Sequence, residues 1–214
     1  CAMALGWNAN ATAINSVAIG YTANALGTNS IALGTSAKAS GLDAIAIGQS
    51  SIASQTNTLA IGTEAEATDE NSIAIGDSAK SSASNTAAIG INSKASAANS
   101  TALGVSANAA KPNSTALGRL AHSNGVNSTA VGSRANANGS TSVAIGRGAV
   151  TEGFGSVALA ACSNAAGNRS IAIGVYANST QVCSMAIGYG AQSTAENSIA
   201  IGDSASTSAD NATA

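Results

Sequence analysis

The sequence predicts an all-β protein, a parallel β-solenoid of very narrow bore, and three observations support this prediction. A glycine recurs in steps of 14 from Gly6 to Gly202, the residues before it alternate as in a strand, and large side chains are scarce. Aromatic residues make up 2% of the 214 residues and charged residues 8%, whereas charged residues are roughly 25% of an average globular protein. Such a chain must bury small residues many times over to form a core.

The repeated unit is a six-residue motif that reads NSIAIG at 71–76 and again at 197–202. Its glycine recurs every 14 residues along the chain. The one position of this series without a glycine is 160, which we call slot 160 and which holds Ala160. The first regular positions are Gly20, Gly34, Gly48, Gly62, Gly76 and Gly90. Because no insertion or deletion interrupts the array, we expect residues 1–214 to form one continuous repeat array with no second domain.

The residues before each glycine predict the first strand of a coil. The residue directly before the glycine is always aliphatic, and the residue two before it is always alanine; examples are Ile19, Ile47, Ile75 and Ala18, Ala46, Ala74. Neighbouring residues of a strand point to opposite faces, so both faces are restricted. We interpret the alanine column as a face packed against another copy of the chain, which predicts a homo-oligomer. The alternative is that alanine merely suits a flat, exposed sheet face.

The residues after each glycine predict two turns and a second, shorter strand. Glycine supplies the positive φ of the first turn, and small residues such as Ala23 and Ala25 then form the short strand. Asparagine returns the chain to the first strand, as at Asn15 and Asn71, where its side chain can bond local backbone. Stacked coils would align these asparagines in a ladder. The sequence thus predicts about 15 coils, each adding about 4.8 Å of length.

These repeats resemble those of the YadA-like head domain of trimeric autotransporter adhesins, as the stretch NSIAIGDSAKSSAS at 71–84 illustrates. The resemblance covers the whole chain in a single register. It implies a single-stranded left-handed parallel β-roll, a homotrimer of three chains side by side, and exposure on the surface of a Gram-negative bacterium. It also implies binding to host matrix proteins such as collagen, to cells or to abiotic surfaces. Similar heads occur in phage and other viral fibres.

The resemblance therefore predicts a non-enzymatic segment of an adhesin head that attaches by multivalent contact. The chain begins inside a repeat and stops before the next glycine is due, so we expect an excerpt of a longer array that is anchored in the outer membrane through another part. The alternative is the structural shaft of a viral, phage or extracellular fibre. A third hypothesis is an ice-binding solenoid, which needs outward threonines. Thr101, Thr115 and Thr129 stack in a slot that we expect to point inward.

No residue pattern in the sequence predicts catalysis, a cofactor or a metal site. The single histidine, His122, has no carboxylate near it in sequence, and no nucleophile stands beside a base. Glu64, Glu66, Asp69 and Glu70 form the densest acidic stretch. We interpret them as a solvated turn, with a weak cation site as the alternative.

Trp7, Tyr21 and Tyr189 directly follow the repeat glycine, in a column that also holds charged residues. The column must be exposed, so these aromatic side chains are candidate ligand contacts, or else ordinary turn residues. Cys162 and Cys183 lie in neighbouring coils but different columns, so a disulfide and free, half-buried thiols are both open. The irregular region 150–190 is either a recognition patch or drift in the repeat.

The charge balance and the apolar runs restrict the partners. The net charge is −2 and no basic patch stands out in the sequence, which argues against a nucleic-acid partner. Every apolar run ends at a glycine far short of the ~20 residues that cross a bilayer, so we expect no membrane contact in this segment.

Overall fold

The structure, a computed structural model, describes residues 1–214 and consists of strands and turns without a helix. It comprises two compact units, unit 1 (Cys1–Ala107) and unit 2 (Asn108–Ala214). Within each unit, three-residue strands alternate with two-residue strands along the chain, and each kind builds its own parallel sheet. The predicted all-β parallel β-solenoid with about 15 coils of 14 residues is confirmed. No helix is present that could span a lipid bilayer.

The strands of unit 1 are β1 Met3–Leu5, β2 Asn10–Ala11, β3 Val17–Ile19, β4 Asn24–Ala25, β5 Ile31–Leu33, β6 Lys38–Ala39, β7 Ile45–Ile47, β8 Ile52–Ala53, β9 Leu59–Ile61, β10 Glu66–Ala67, β11 Ile73–Ile75, β12 Lys80–Ser81, β13 Ala87–Ile89, β14 Lys94–Ala95 and β15 Thr101–Leu103. The strands of unit 2 are β16 Asn108–Ala109, β17 Thr115–Leu117, β18 His122–Ser123, β19 Thr129–Val131, β20 Asn136–Ala137, β21 Val143–Ile145, β22 Val150–Thr151, β23 Val157–Leu159, β24 Asn164–Ala165, β25 Ile171–Ile173, β26 Asn178–Ser179, β27 Met185–Ile187, β28 Gln192–Ser193, β29 Ile199–Ile201 and β30 Ser206–Thr207.

Strand pairing keeps step with the sequence repeat. In β3, β5 and β7, Ala18 pairs with Ala32 and Ala32 pairs with Ala46, each partner lying 14 residues further along the chain. Each residue therefore lies directly over its counterpart in the next coil. A column that is read down the repeats of the sequence is consequently a column of touching residues in the fold.

The core consists of four inward columns of small residues. One coil illustrates them with Thr58, Ala60, Ala65 and Ala67, all at most 1% exposed. The largest fully buried side chains are threonines, Thr58 and Thr151. No aliphatic side chain larger than alanine lies in the core, so the two sheets of a coil lie much closer than the ~10 Å typical of stacked sheets.

Buried hydroxyl groups show how narrow the bore is. Ser198 donates its hydroxyl to the carbonyl oxygen of Ala195 at 2.7 Å, across the turn that precedes β29. The hydroxyls of Ser193 and Ser198 also lie 2.6 Å apart, and those of Ser123 and Ser128 are equally close. In the coils that contain these pairs, a single hydrogen bond between two hydroxyls links the side of the two-residue strand to the side of the three-residue strand. A larger side chain would have to push the sheets apart.

The interpretation of the alanine column as a contact between chains is wrong. Ala18, Ala46 and Ala74 are fully buried within a single chain, because they fill the bore. The aliphatic residues beside them, such as Ile19 and Ile47, lie on the outer face of the same strands and are only partly buried. The space inside the coil accepts little more than a methyl group. The alanine face of the strand therefore turns inward, and the face that holds the larger aliphatic residues turns outward.

The two turns of each coil share one left-handed position. A residue with positive φ stands at every seventh position from Asn8 to Asn211, with φ near 57° at the non-glycine residues of this series. Asn15 precedes a three-residue (long) strand, whereas Thr22 precedes a two-residue (short) strand, and their φ values are 58° and 53°. Asparagine and aspartate tolerate this left-handed region better than most residues. The left-handed position thus recurs every seven residues, whereas the repeat glycine with φ near +130° occurs in only one of the two turns and keeps the period of 14.

Asparagine side chains form ladders along one turn. Asn57 donates from Nδ2 to Oδ1 of Asn71 at 3.1 Å, and Asn71 donates to Asn85 at 3.2 Å. Asn15 and Asn29 make the same contact at 3.2 Å near the start of unit 1. Each amide therefore links its coil to the next, in addition to the backbone bonds of the sheets.

The repeat glycines occupy a backbone region that other residues avoid. Gly76 has φ +128°, and a Cβ there would lie 2.6 Å from the carbonyl carbon of Gly90 in the next coil. Slot 160 is the exception, because Ala160 adopts φ 108°. An alanine in this region is strained by about 1–3 kcal/mol. Coil stacking must therefore hold Ala160 in a conformation that favours glycine.

We predict that adjacent alanines of β13 respond in opposite ways to the same enlargement. Ala88→Ile places a large side chain in the bore and should reduce the free energy of unfolding by about 1–3 kcal/mol or more. Ala87→Ile changes an outward residue whose column already holds Ile73 and should be nearly neutral. Urea unfolding followed by circular dichroism measures both. Equal destabilisation would show that the assignment of the two faces is wrong.

We predict that Ala160→Gly stabilises the protein by about 1–3 kcal/mol, because it relieves the strained φ. The matched control is Gly174→Ala in the following coil, where a Cβ would lie 2.3 Å from the carbonyl oxygen of Gly188. That change should destabilise the protein. The same urea titration at fixed protein concentration gives both values, and an unchanged midpoint for Ala160→Gly would contradict the strain argument.

Candidate binding surfaces

The outer face of the three-residue strands is an aliphatic surface, which we call the aliphatic face. It consists of the first and last residues of each of these strands, mostly Ile, Val and Leu. Within a single chain these side chains are half-buried or exposed, with Leu33 40%, Ile145 41% and Ile201 55% exposed. Each unit thus presents two parallel columns of apolar side chains that its own fold does not cover.

The outer face of the two-residue strands is polar. Its first column holds polar residues such as Asn24, Lys38, Glu66 and Lys80, with Ile52 and Val150 as the apolar exceptions. Lys80 Nζ lies 3.0 Å from Glu66 Oε1 across adjacent strands, with both side chains partly exposed to solvent. An exposed pair of this kind contributes little to stability. The two sheets therefore differ sharply in what they present outward.

The threonine column lies on the aliphatic face. Thr101 is exposed, while Thr115 and Thr129 are half-buried, and all three begin a long strand. The expectation that this slot points inward is wrong, for the same reason as the interpretation of the alanine column. In unit 1 Thr101 pairs with Ala87, and in unit 2 Thr115 pairs with Thr129, which in turn pairs with Val143. The threonines therefore lie in columns whose other members are mostly apolar.

Aromatic side chains project from the turn that follows the repeat glycine. Trp7 and Tyr21 are 67% and 53% exposed and stack in parallel, with ring centroids 4.8 Å apart and an interplanar angle of 11°. Tyr189 is 59% exposed and meets Tyr176 edge to face at 6.0 Å. The structure thus groups the three predicted contact residues into two separate aromatic pairs. Tyr176 was not predicted, because it stands one position later in the turn than the others.

The three cysteines are free thiols. Cys1 is exposed, and Cys162 and Cys183 are half-buried. Cys162 lies in the turn after slot 160, where its amide donates to the Arg147 carbonyl oxygen, whereas the Cys183 amide donates to Asn168 in the other turn. Both cysteines occupy left-handed positions, with φ 57° and 54°. The two thiols are therefore held on different turns of the solenoid.

The acidic stretch is divided among different parts of the coil. Glu64 lies in the turn after Gly62, Glu66 in β10, and Asp69 and Glu70 in the opposite turn. Glu66 pairs with Lys80, and Asp69 accepts a hydrogen bond from the Glu70 amide at 2.8 Å. No group of three or more His, Cys, Asp or Glu residues is placed to hold a metal ion.

His122 begins β18, half-buried between Asn108 and Asn136 of the neighbouring strands.

The irregular region 150–190 keeps the coil geometry in spite of its unusual residues. Ala160, Cys162, Arg169 and Cys183 all fall on turn positions with positive φ.

One structural column was missed in the sequence. The residue four before the repeat glycine is serine or threonine in nearly every coil, and it is buried. Ser16 and Ser156 each donate to the carbonyl oxygen three residues earlier at 2.8 Å, which closes the turn before the long strand. The near-invariance of this residue along the chain was the signal that could have identified the column. To use that signal, one would have had to expect a polar side chain inside the small core.

One known sequence family matches nearly the whole chain. The sequence profile of the YadA head domain repeat, which describes two copies, matches residues 2–23, 25–51, 53–79, 81–107, 95–121, 123–149, 137–159, 163–177, 179–205 and 193–214. Among solved structures, the collagen-binding domain of the Yersinia adhesin YadA is similar at 24% sequence identity over 89% of this chain and 68% of that chain. The TM-score of that pair is 0.22, too low to support a residue-by-residue comparison. No curated protein sequence matches significantly.

The profile matches cover almost every residue and follow the coils that the structure shows. The chain therefore belongs to the YadA head domain repeat family, as a β-roll repeat protein of the adhesin type.

Proposed function

We propose that the chain is a non-enzymatic segment of a surface adhesin head, which attaches to host matrix, cells or surfaces by multivalent contact. The single observation that carries the proposal is the match of YadA head repeats along nearly the whole chain. A role in attachment is what membership of this family implies. Collagen-type matrix proteins are the first partners to test.

The repeat geometry supports attachment through many weak contacts. Each coil displays the same outward positions as the coil before it, because strand pairing keeps a register of 14 residues. A ligand that binds weakly to one coil can therefore bind several in the same orientation, and linked contacts raise the overall affinity. The narrow, hydrogen-bonded core keeps these positions in line.

We propose that three chains associate through the aliphatic face into a homotrimer of left-handed β-rolls. Exposed apolar columns of this extent are typical of surfaces that another protein covers. Permanent interfaces between subunits are more hydrophobic than transient ones. The polar face of the short strands would then remain outside for contact with ligands. This assignment replaces the alanine column with the aliphatic columns as the contact between chains.

The remaining parts of the proposal follow from family membership. We propose that residues 1–214 act as one continuous array, exposed on a bacterial cell and anchored in the outer membrane through another part of the protein. Its partners are other copies of the chain and extracellular surfaces, and we propose no contact with nucleic acid or lipid. The alternative is a structural shaft in a viral or extracellular fibre, in which the same trimer would not adhere.

We predict that charges on the aliphatic face dissociate the trimer. The double variant Ile47→Asp and Ile75→Asp would bury unpaired carboxylates between chains, which is strongly unfavourable. Light scattering after size exclusion should give a trimer mass for the wild type and a smaller mass for the variant. The matched control, Ser54→Asp with Ser82→Asp, adds the same charge on the polar face and should remain trimeric. A wild-type monomer would contradict the proposed association.

We predict that the purified trimer binds immobilised collagen or cultured cells, and that binding strengthens steeply with the number of coils. Surface plasmon resonance on arrays of different coil number measures this dependence, with a dissociated aliphatic-face variant as the control. A folded trimer that binds neither collagen, cells nor polystyrene would contradict the adhesin proposal and favour the fibre shaft.

A further inference from the structure

All four arginines lie in unit 2, and three of them lie in the same kind of turn in successive coils. They are Arg119, Arg134 and Arg147, in the turn after the repeat glycine of three successive coils. All three side chains are exposed, and none lies within ion-pair distance of a carboxylate. The expectation of no basic patch therefore needs correction at this turn. We call these residues, with Tyr176 and Tyr189 further along the same turn, the Arg–Tyr ridge.

Backbone contacts place the arginines on adjacent coils. The Arg134 amide donates to the Arg119 carbonyl oxygen at 2.9 Å. Arg134 and Arg147 occupy the same two turn positions as Tyr176 and Tyr189, whose rings lie 6.0 Å apart in successive coils. The two pairs are thus related by the repeat. The turn gathers residues that are 13 or 15 apart in sequence, which is why reading single columns missed them.

Three neighbouring cations without a counter-charge repel one another, and a bound anion would relieve that repulsion. In unit 2 the same turn carries a single carboxylate, Asp203. The guanidinium group binds sulfate and carboxylate through two parallel hydrogen bonds. The arginines of the ridge therefore provide closely spaced sites for a ligand that carries repeated negative charges.

The tyrosines extend the ridge and restrict the kind of ligand. Tyr176 and Tyr189 are 55% and 59% exposed, so their rings are available to pack against the apolar face of a sugar ring. Between the arginines and the tyrosines the turn carries only small residues, Gly148, Ala161 and Cys162, followed by Val175. From Arg119 to Tyr189 the ridge crosses six successive coils of unit 2, a span of about 24 Å at one strand spacing per coil.

We propose that the Arg–Tyr ridge binds an acidic polysaccharide, with sulfate or carboxylate groups on the arginines and sugar rings on the tyrosines. A linear ligand fits a ridge that continues from coil to coil along one set of turns. The chain as a whole carries a net charge of −2, so attraction of a negatively charged ligand depends on the local group of arginines rather than on the overall charge. The inference rests on the proposed adhesive function and names one ligand class for it.

Calorimetry with size-fractionated heparin tests the proposal on the whole chain. We expect binding to appear only with fractions long enough to span the ridge, and uncharged dextran should not bind. The variant Arg119→Gln, Arg134→Gln, Arg147→Gln should weaken heparin binding about tenfold or more and flatten its salt dependence. The matched control Lys38→Gln, Lys94→Gln, Lys111→Gln removes the same charge elsewhere and should leave the affinity within about twofold of wild type, as non-contacting charges do.

A second variant separates the tyrosines from the charges. Tyr176→Ala with Tyr189→Ala should weaken heparin binding several-fold while leaving its salt dependence unchanged, because no charge is removed. Circular dichroism confirms that each variant is folded. Equal affinity of wild type and the arginine variant for heparin would overturn the proposal. Binding of single-stranded DNA as tight as that of heparin would overturn it too, since the ridge would then be a general polyanion site.

The outcome is independent of the wider proposal for function. If the wild type adheres to collagen or cells but does not bind heparin, the ridge inference fails and the adhesin proposal stands. If the arginine variant loses heparin binding but still binds collagen, the ridge is a separate ligand site on a working adhesin.

Discussion

The width of the bore is the constraint on which the rest of the structure depends. Two parallel sheets face each other at a distance that a hydroxyl pair such as Ser193 and Ser198 bridges with one hydrogen bond. Only alanine, serine, threonine and glycine fit inside, so each coil contributes little apolar burial. The protein compensates by repetition, because every coil adds the same backbone and side-chain bonds to the coil before it. Many of the buried serines, such as Ser128 and Ser198, fit this core because a carbonyl oxygen three residues earlier accepts a hydrogen bond from the hydroxyl.

So narrow a coil requires tight turns, and these determine the sequence at fixed positions. Two features reverse the chain within a few residues. One is a left-handed residue at every seventh position, and the other is a glycine with φ near +130° directly after each three-residue strand. Neighbouring coils lie so close at the glycine that a Cβ at Gly20 would stand 2.5 Å from the carbonyl oxygen of Gly34. The repeat-glycine position is consequently less tolerant of substitution than the outward positions of the strands, and Ala160 marks the one coil in which another residue occupies it.

Because the interior accepts only small residues, every larger side chain must lie outside. This places most of the isoleucine, valine and leucine side chains on the outer face of one sheet, mainly polar and charged residues on the other, and the aromatic residues on the turns. The fold thereby separates a surface suited to contact between chains from surfaces suited to contact with ligands. The turns carry the greatest variety, with stacked Trp7 and Tyr21 in unit 1 and the Arg–Tyr ridge in unit 2.

The sequence by itself determined the period, the strand type, the parallel register and the asparagine ladder, since each follows from equal spacing of like residues. It could not determine which strand face is buried. Alternation separates Ala74 from Ile75, but only the distance between the two sheets of a coil shows that alanine is the residue that fits inside. Nor could it bring Arg119, Arg134 and Arg147 together or hold Cys162 apart from Cys183. The arginines come together because two turn positions of successive coils meet, and the cysteines are held apart because they lie on different turns. Both relations exist only once the coils are stacked.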